Sequence, residues 1–232
     1  MCGRFTLRTP LTVLSQQFLF EVSSELGAAG LAPRYNIAPT QEIAVVRRAA
    51  DADRRELALV CWGLVPSWSK DMKSAASMIN ARAETAATKP AFRAAFACRR
   101  CLVLTDGYFE WEAVGRQRVP HYYELASRQP FAFAGLWESW HGAKGAAMPL
   151  ETATILTTTA NDLAATLHER MPVILQPADY DLWLDPATSR EQLAALLVPY
   201  PAGQMQERVV SSRVNSVRHD DAECLADEPR LF

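Results

Sequence analysis

The stretch that decides the fold is residues 101–137, CLVLTDGYFEWEAVGRQRVPHYYELASRQPFAFAGLW. It contains four short runs rich in β-branched and aromatic residues, which is the composition that favours β-strands. Gly, Asp, Ser and Pro punctuate the intervals between the runs, as expected of turns. The stretch therefore predicts successive strands joined by short connections, and hence a largely antiparallel sheet. The predicted strands are at residues 101–104, 108–111, 121–125 and 131–137.

The flanking sequence extends this pattern with more strands and with short helices. Thr9-Pro10 opens a helix whose apolar face carries Leu11, Leu14, Phe18 and Leu19. Segment 33–40 is too proline-bounded for a helix or a central strand. Segment 75–85 is expected to be extended, and residues 51–53 to form a turn. Further strands are predicted at 3–8, 43–47, 55–62, 152–159, 173–175 and 209–217, and further helices at 91–97, 162–168, 180–184 and 190–197. We expect one α+β domain spanning residues 1–232.

Composition excludes some classes of protein. The 232 residues are 49% hydrophobic and 22% charged, enough apolar material for a proper core. The net charge is −2, whereas proteins that coat nucleic acid without specificity are normally basic. DNA binding would therefore need a local groove. No apolar run reaches membrane-spanning length and no secretion signal is apparent. We expect a cytoplasmic protein, with its five cysteines reduced.

Cys2 is a candidate nucleophile because of its position. Removal of Met1 would leave a residue with a free α-amine, whose pKa is about 7.7–8.0, beside a thiol of pKa about 8.5. A neutral amine attacks an aldehyde to form a Schiff base, and the neighbouring thiol can then close a thiazolidine ring. An internal cysteine cannot do this, because its nitrogen belongs to a peptide bond. The alternative is that a cysteine occupies position two by chance.

Glu110 is a candidate acid–base group. On a strand, Tyr108 and Glu110 would face one side, and Phe109 and Trp111 the other. A carboxylate held among aromatic rings has its pKa raised by desolvation, which suits proton transfer. An exposed glutamate on a strand explains the pattern equally well.

Other polar residues have both a functional and a structural explanation. Asn80 and Arg82 would share one face of an extended segment. They are either active-site groups or part of an exposed polar edge. His168 is an acid–base candidate or merely a partner of a helix dipole, and Arg170 could meet a phosphate. Trp68 and Trp111 are either core residues or a stacking surface for unpaired bases.

Cys98 and Cys101 form a C-x-x-C pair that we interpret as two ordinary cysteines. A redox pair would sit at the start of a helix after a strand, whereas this pair precedes a strand. A structural zinc site would normally need a second pair, which the sequence lacks. We therefore expect no metal.

Six motifs together resemble the SOS-response-associated peptidase (SRAP) family, whose members process abasic sites in DNA. The similarity runs from Cys2 to about Val217, with the motifs in the family's order. The motifs are MCGRF at 1–5, RYNIAPT at 34–40, WGLVP at 62–66, INARAET at 79–85, GYFEW at 107–111 and HERMP at 168–172.

The resemblance implies a barrel-like β core flanked by short helices, in a protein that binds single-stranded DNA and covalently traps the aldehyde of an abasic site. It implies no cofactor, no membrane and, we expect, a monomer that is nucleoid-associated when bound to DNA. Cys2 matches the family's nucleophile, and Asn80, Glu110 and His168 match its other active-site residues. Residues in or near the segments that line its DNA groove are Arg4, Asn36, Pro39, Trp68, Arg82, Trp111, Thr157 and Arg170.

Two other classes of function stay open from the sequence. One is an N-terminal-nucleophile amidohydrolase, in which the Cys2 thiolate attacks an amide. The other is a non-enzymatic single-strand binding module in which Cys2 is incidental. Release of an amide product without DNA would favour the first of these. Equal affinity for intact and abasic strands, without any adduct, would favour the second.

Overall fold

The computed structural model describes residues 2–23, 27, 30–49, 54–73, 75–142 and 149–228. The strands are β1 Phe5–Leu7, β2 Phe20–Glu21, β3 Arg34–Ile37, β4 Glu42–Arg48, β5 Arg55–Trp62, β6 Asn80–Arg82, β7 Arg100–Thr105, β8 Gly107–Val114, β9 Gln117–Leu125, β10 Phe131–Trp140, β11 Leu150–Thr159, β12 Arg170–Pro172, β13 Ile174–Leu175 and β14 Met205–Val209. The α-helices are α1 Leu11–Phe18, α2 Ala83–Ala86, α3 Arg93–Cys98, α4 Tyr180–Leu184 and α5 Arg190–Leu196.

Five strands close into a barrel. Strands β11, β10, β7, β4 and β5 pair in that order, each antiparallel to the next. A parallel pairing of β5 with β11, at Cys61 opposite Thr152 and Trp62 opposite Ala153, completes the ring. Closure leaves no free sheet edge along these pairings. The expected α+β fold with a barrel-like core is confirmed.

A second, antiparallel sheet packs beside the barrel in the order β14, β9, β8, β1, β3. Phe5 of β1 joins the two parts, because its ring lies 5.0 Å from that of Trp62 and 6.0 Å from that of Phe133. The start of β8 must be glycine. A Cβ atom on Gly107 would lie 2.4 Å from the Tyr122 ring, closer than any packing tolerates. This contact holds β8 tightly against β9 and beside β1.

Several predicted elements differ from the structure for identifiable reasons. Segment 75–85 is not uniformly extended, because a 3₁₀ turn and α2 flank the short β6, which pairs with β11. The predicted strand 209–217 is wrong. Pairing with β9 ends at Val209, and the Ser211 side chain then caps a 3₁₀ turn at Ser212–Asn215.

The helix predicted at 162–168 is only a 3₁₀ turn at Ala164–Thr166, and its N-cap is Leu163 instead of the predicted Asn161. The Asn161 Oδ1 still accepts a hydrogen bond of 2.9 Å from the Ala164 N–H. Segment 33–40 does form a strand, β3, but at the edge of its sheet, where flanking prolines are tolerated. The turn predicted at 51–53 lies outside the described residues. Within the described ranges, no helix has the length and apolar character needed to cross a membrane.

Candidate active site

Cys2 is fully buried and lies three residues before the start of β1. The side-chain amide Nδ2 of Asn80 donates a hydrogen bond of 2.8 Å to the Cys2 carbonyl oxygen. Asn80 is itself fixed, because it opens β6 and pairs with Ile155 of β11. The barrel therefore positions the first residues of the chain through Asn80.

Glu110 lies on the inner side of β8, on the same face as Tyr108. Phe109 and Trp111 point the other way, into a separate apolar cluster with Tyr122, so the predicted alternation is confirmed. Glu110 is only 8% exposed, and this burial raises the pKa of its carboxyl group. A positive charge on His168 would act in the opposite direction. Glu110 is thus a carboxyl group that exchanges a proton more readily near neutral pH than an exposed glutamate does.

The Cys2 thiol is close enough to Glu110 for the two groups to influence one another. Burial raises the pKa of the thiol, and the negative charge of Glu110 raises it further. The sulfur also lies 3.8 Å from the carbonyl oxygen of Arg4. In this arrangement the thiol is protonated, and a nearby positive charge would be needed to make it a thiolate.

His168 is oriented by the backbone that follows it. Its Nδ1 accepts a hydrogen bond of 2.9 Å from the backbone N–H of Arg170. An accepting Nδ1 places the proton of the neutral ring on Nε2. His168 is half-buried, so its ring keeps contact with the cavity described next.

An open cavity of about 740 Å³ brings much of the predicted site together. Glu110 and His168 line it, next to predicted DNA-binding residues. Cys2 adjoins it through Gly3, the next residue in the chain. The lining residues are Gly3, Arg4, Pro39, Glu110, Trp111, Arg116, Arg118, His168 and Asn215. The cavity can admit a small polar group to the neighbourhood of Cys2, Glu110 and His168.

Arg4 and Trp111 form one wall of the cavity. The Arg4 guanidinium lies 5.7 Å from the centroid of the Trp111 ring. Its Nη1 donates to Asn36 Oδ1 at 2.7 Å and to the Val214 carbonyl at 3.0 Å. Asn36 has no exposed surface and also donates to carbonyl groups of the C-terminal segment, including that of His219 at 2.7 Å. It therefore positions Arg4 and does not reach solvent itself.

Two other predicted DNA-binding residues are placed differently. Arg170 is 8% exposed, and its guanidinium forms two hydrogen bonds to Glu84, at 2.7 and 2.9 Å. Thr157 is fully buried, and its carbonyl oxygen accepts from Arg170. Neither side chain presents a free polar group to the cavity. Arg170 instead contributes through its backbone, which orients His168.

Arg82 and Trp68 are accessible but lie outside the cavity lining. Arg82 is exposed at the end of β6, two residues after Asn80. Trp68 is 66% exposed on the loop after β5, so it is not a core residue. Their predicted contacts with DNA stay predictions.

Four lining residues escaped the sequence analysis. Gly3 adjoins Cys2 and has no side chain to signal a role. Arg116 and Arg118 lie where β8 turns into β9, and two basic residues beside a glycine between two predicted strands were a usable signal. Asn215 had no signal, because its place depends on the 3₁₀ turn that replaces the predicted final strand. In the part of the chain that is described, no group of three His, Cys, Asp or Glu side chains could hold a metal.

A closed barrel with a flanking sheet, and a buried cysteine held by Asn80 near Glu110, define the class of protein. The chain belongs to the family described as SOS response associated peptidase (SRAP), whose sequence profile matches residues 1–217.

Individual relatives agree with that assignment. The chain is 40% identical over 233 residues to the abasic site processing protein YoaM of Bacillus subtilis, covering 100% of both chains. It is 32% identical over 222 residues to the abasic site processing protein HMCES of Gallus gallus, covering 83% of this chain and 66% of that protein. A crystal structure of a protein from Bacteroides thetaiotaomicron matches with a TM-score of 0.88 at 25% identity, covering 98% of this chain and 100% of that one.

Proposed function

We propose that this protein processes abasic sites in single-stranded DNA by forming a covalent crosslink through Cys2. The observation that carries the proposal is that Glu110 and His168 line one cavity, whose lining residue Gly3 follows Cys2 in the chain, while Asn80 binds the Cys2 carbonyl. The relatives named above are abasic site processing proteins, which supplies the substrate class.

The first step is release of the Cys2 amine by hydrolysis of the Met1–Cys2 peptide bond, with Glu110 assisting as proton acceptor. This step gives the protein its peptidase character. The neutral amine then attacks the open-chain aldehyde of the abasic deoxyribose. A carbon–nitrogen bond forms, water leaves, and the product is a Schiff base.

Glu110 and His168 transfer the protons. Glu110, whose pKa burial raises, takes a proton from the attacking amine and returns one to the departing oxygen. His168 promotes opening of the sugar ring and later exchange at the Schiff base. Asn80, bonded to the Cys2 carbonyl at 2.8 Å, keeps the amine directed at the aldehyde.

The second step closes the thiazolidine. The sulfur of Cys2 adds to the imine carbon and the nitrogen takes up the thiol proton, so no further atom is gained or lost. Transfer of the thiol proton to the imine nitrogen creates an iminium, and its positive charge stabilises the thiolate that adds to the carbon. When closure fails, the Schiff base permits elimination of the 3′ phosphate, which would be a lyase activity.

The DNA strand is held by stacking and phosphate contacts. Trp111 at the cavity and the exposed Trp68 offer rings on which unpaired bases stack, each worth about 1–3 kcal/mol. Arg4 and Arg82 supply positive charge for phosphates, and Pro39 supplies an apolar surface. Single strands are favoured because their sugars are accessible without an unstacking cost. We further propose that the protein acts on DNA as a cytoplasmic monomer.

Intact-mass spectrometry tests the proposal. The protein is incubated with an abasic single strand, with the intact strand, and with a strand whose abasic site has been reduced and lacks the aldehyde. We expect loss of Met1 and, on the abasic strand alone, a mass equal to protein plus DNA minus one water. Resistance of this adduct to borohydride would distinguish a thiazolidine from a Schiff base of equal mass. Absence of an adduct on processed protein would refute the proposal.

A further inference from the structure

The turn between β8 and β9 carries two arginines for which the steps above have no use. Arg116 and Arg118 are both exposed, and both line the cavity that contains Glu110 and His168. No ion pair to either guanidinium occurs within the described ranges. We propose that Arg116 and Arg118 form a phosphate-binding subsite that holds the DNA strand on one flank of the abasic nucleotide. The identity of the ligand rests on the proposed function.

The backbone of this subsite is held by strand pairing and by a side-chain hydrogen bond. Residues 115 and 116 form a two-residue turn between the paired residues Val114 and Gln117. Gly115 has a φ of 60°, the left-handed conformation that such a primed hairpin turn needs at its first central position. The side-chain amide of Asn215 donates a hydrogen bond of 3.0 Å to the Arg118 carbonyl oxygen. The two arginines are therefore presented from a fixed hairpin.

The hairpin also places the charge of Arg118 beside the ring of Trp111, on which a base could stack. Trp111 lies opposite Pro120, and Ala113 lies opposite Arg118, so Trp111 and Arg118 share one face as diagonal neighbours. Such neighbours are about 7–8 Å apart. Asn215 ties them together, because its Oδ1 also accepts from Trp111 Nε1 at 2.6 Å. A base stacked on the ring would bring its phosphate toward the arginine.

Charge at the cavity favours an anionic ligand although the whole chain carries a net charge of −2. Its lining has three arginines against one carboxylate, that of Glu110. Arg4 already donates to Asn36 and to a backbone carbonyl. Glu112, the other acidic residue of β8, is outside the cavity lining, and its carboxylate lies 3.3 Å from the His121 ring. The hairpin arginines are therefore the cations available to a phosphate at this edge.

The test measures how binding of an intact single-stranded oligonucleotide depends on salt. Each phosphate contact on a single strand contributes about 0.7 to the slope of log affinity against log salt. We expect Arg116→Gln/Arg118→Gln to reduce the slope by about 1.4, and Arg116→Lys/Arg118→Lys to retain it. The matched control is Arg93→Gln/Arg190→Gln. These exposed arginines begin α3 and α5 away from the cavity, so the same change in net charge should leave the slope unaltered.

A second measurement separates this inference from the proposed function. On abasic DNA, the Gln pair should raise the half-saturating DNA concentration more than it lowers the rate of adduct formation at saturation. Lengthening the strand on one flank should increase the affinity of the wild type and not that of the Gln pair. An unchanged slope, or an equal loss in the Arg93/Arg190 control, would overturn the subsite. Failure of the wild type to form an adduct would instead overturn the proposed crosslinking reaction. It would leave the subsite testable, because binding of the intact strand does not depend on adduct formation.

Discussion

Replacing Glu110 by glutamine should abolish most of the chemistry while stabilising the fold. The amide keeps the size of the side chain but neither accepts nor releases a proton. A positioned acid–base group contributes about 10²- to 10⁴-fold to a rate. We therefore expect the rate of adduct formation at saturating abasic DNA to fall by about that factor.

The effect on stability has the opposite sign. Burial raises the folded-state pKa of Glu110 above its ordinary value of 4.5, so the folded state binds more protons than the unfolded state between the two values. The free energy of unfolding therefore decreases as the pH rises through this window. Above it, the ionised Glu110 destabilises the fold by about 1.4 kcal/mol for each unit by which its pKa is raised. Glutamine removes this penalty, so the variant should be more stable at neutral pH and gain least near pH 4.5.

Two assays test this prediction together. Single-turnover adduct formation gives the rate, and urea unfolding near pH 4.5 and at neutral pH gives the free energies. Glu112→Gln is the matched control, two residues along the same strand and half-exposed, and it should change neither quantity much. A rate close to that of the wild type, or a variant that is less stable at neutral pH, would refute the reasoning.

Three further changes have defined outcomes. Cys2→Ala should retain DNA binding but form no heat-stable adduct in a denaturing gel, and a heat-resistant adduct would exclude thiazolidine formation. Asn80→Ala removes the 2.8 Å bond to the Cys2 carbonyl, worth about 0.5–1.5 kcal/mol, so the single-turnover rate should fall by about two- to tenfold. An unaltered rate would show that Asn80 does not position the amine. Gly107→Ala forces a Cβ to within 2.4 Å of Tyr122 and should destabilise the fold by about 1–3 kcal/mol in urea unfolding. Gly203→Ala, where nothing lies within 4 Å, is its control.

The local sequence was sufficient to predict those structural features that depend only on a repeating pattern along the chain. Alternation at 108–111 predicted that Glu110 shares a face with Tyr108, and the structure decides that this face is the buried one, which raises the pKa of Glu110. The strand-rich stretch 101–137 likewise predicted β7 to β10 within a few residues. Side-chain alternation is a local property of extended backbone, so it can be read without knowledge of the partners.

Local patterns failed where a residue's role depends on a distant contact. The sequence suggested that Arg170 binds a phosphate, but its guanidinium forms a hydrogen bond with Glu84, which lies 86 residues away in the chain. Asn36 belonged to a motif yet is buried beneath Arg4, and Asn215 carried no signal although it ties Trp111 to the hairpin.

The sequence by itself determined the strand-rich α+β class, the face that Glu110 shares with Tyr108 and the candidate chemistry of Cys2. Only the tertiary structure decided that the barrel closes through the parallel pairing of β5 with β11, and that Asn80 reaches the Cys2 carbonyl across 78 residues of chain. The physical reason is that strand pairing and side-chain contacts between distant segments are selected by the packing of the whole core. Periodicity reports only which face of each segment is apolar.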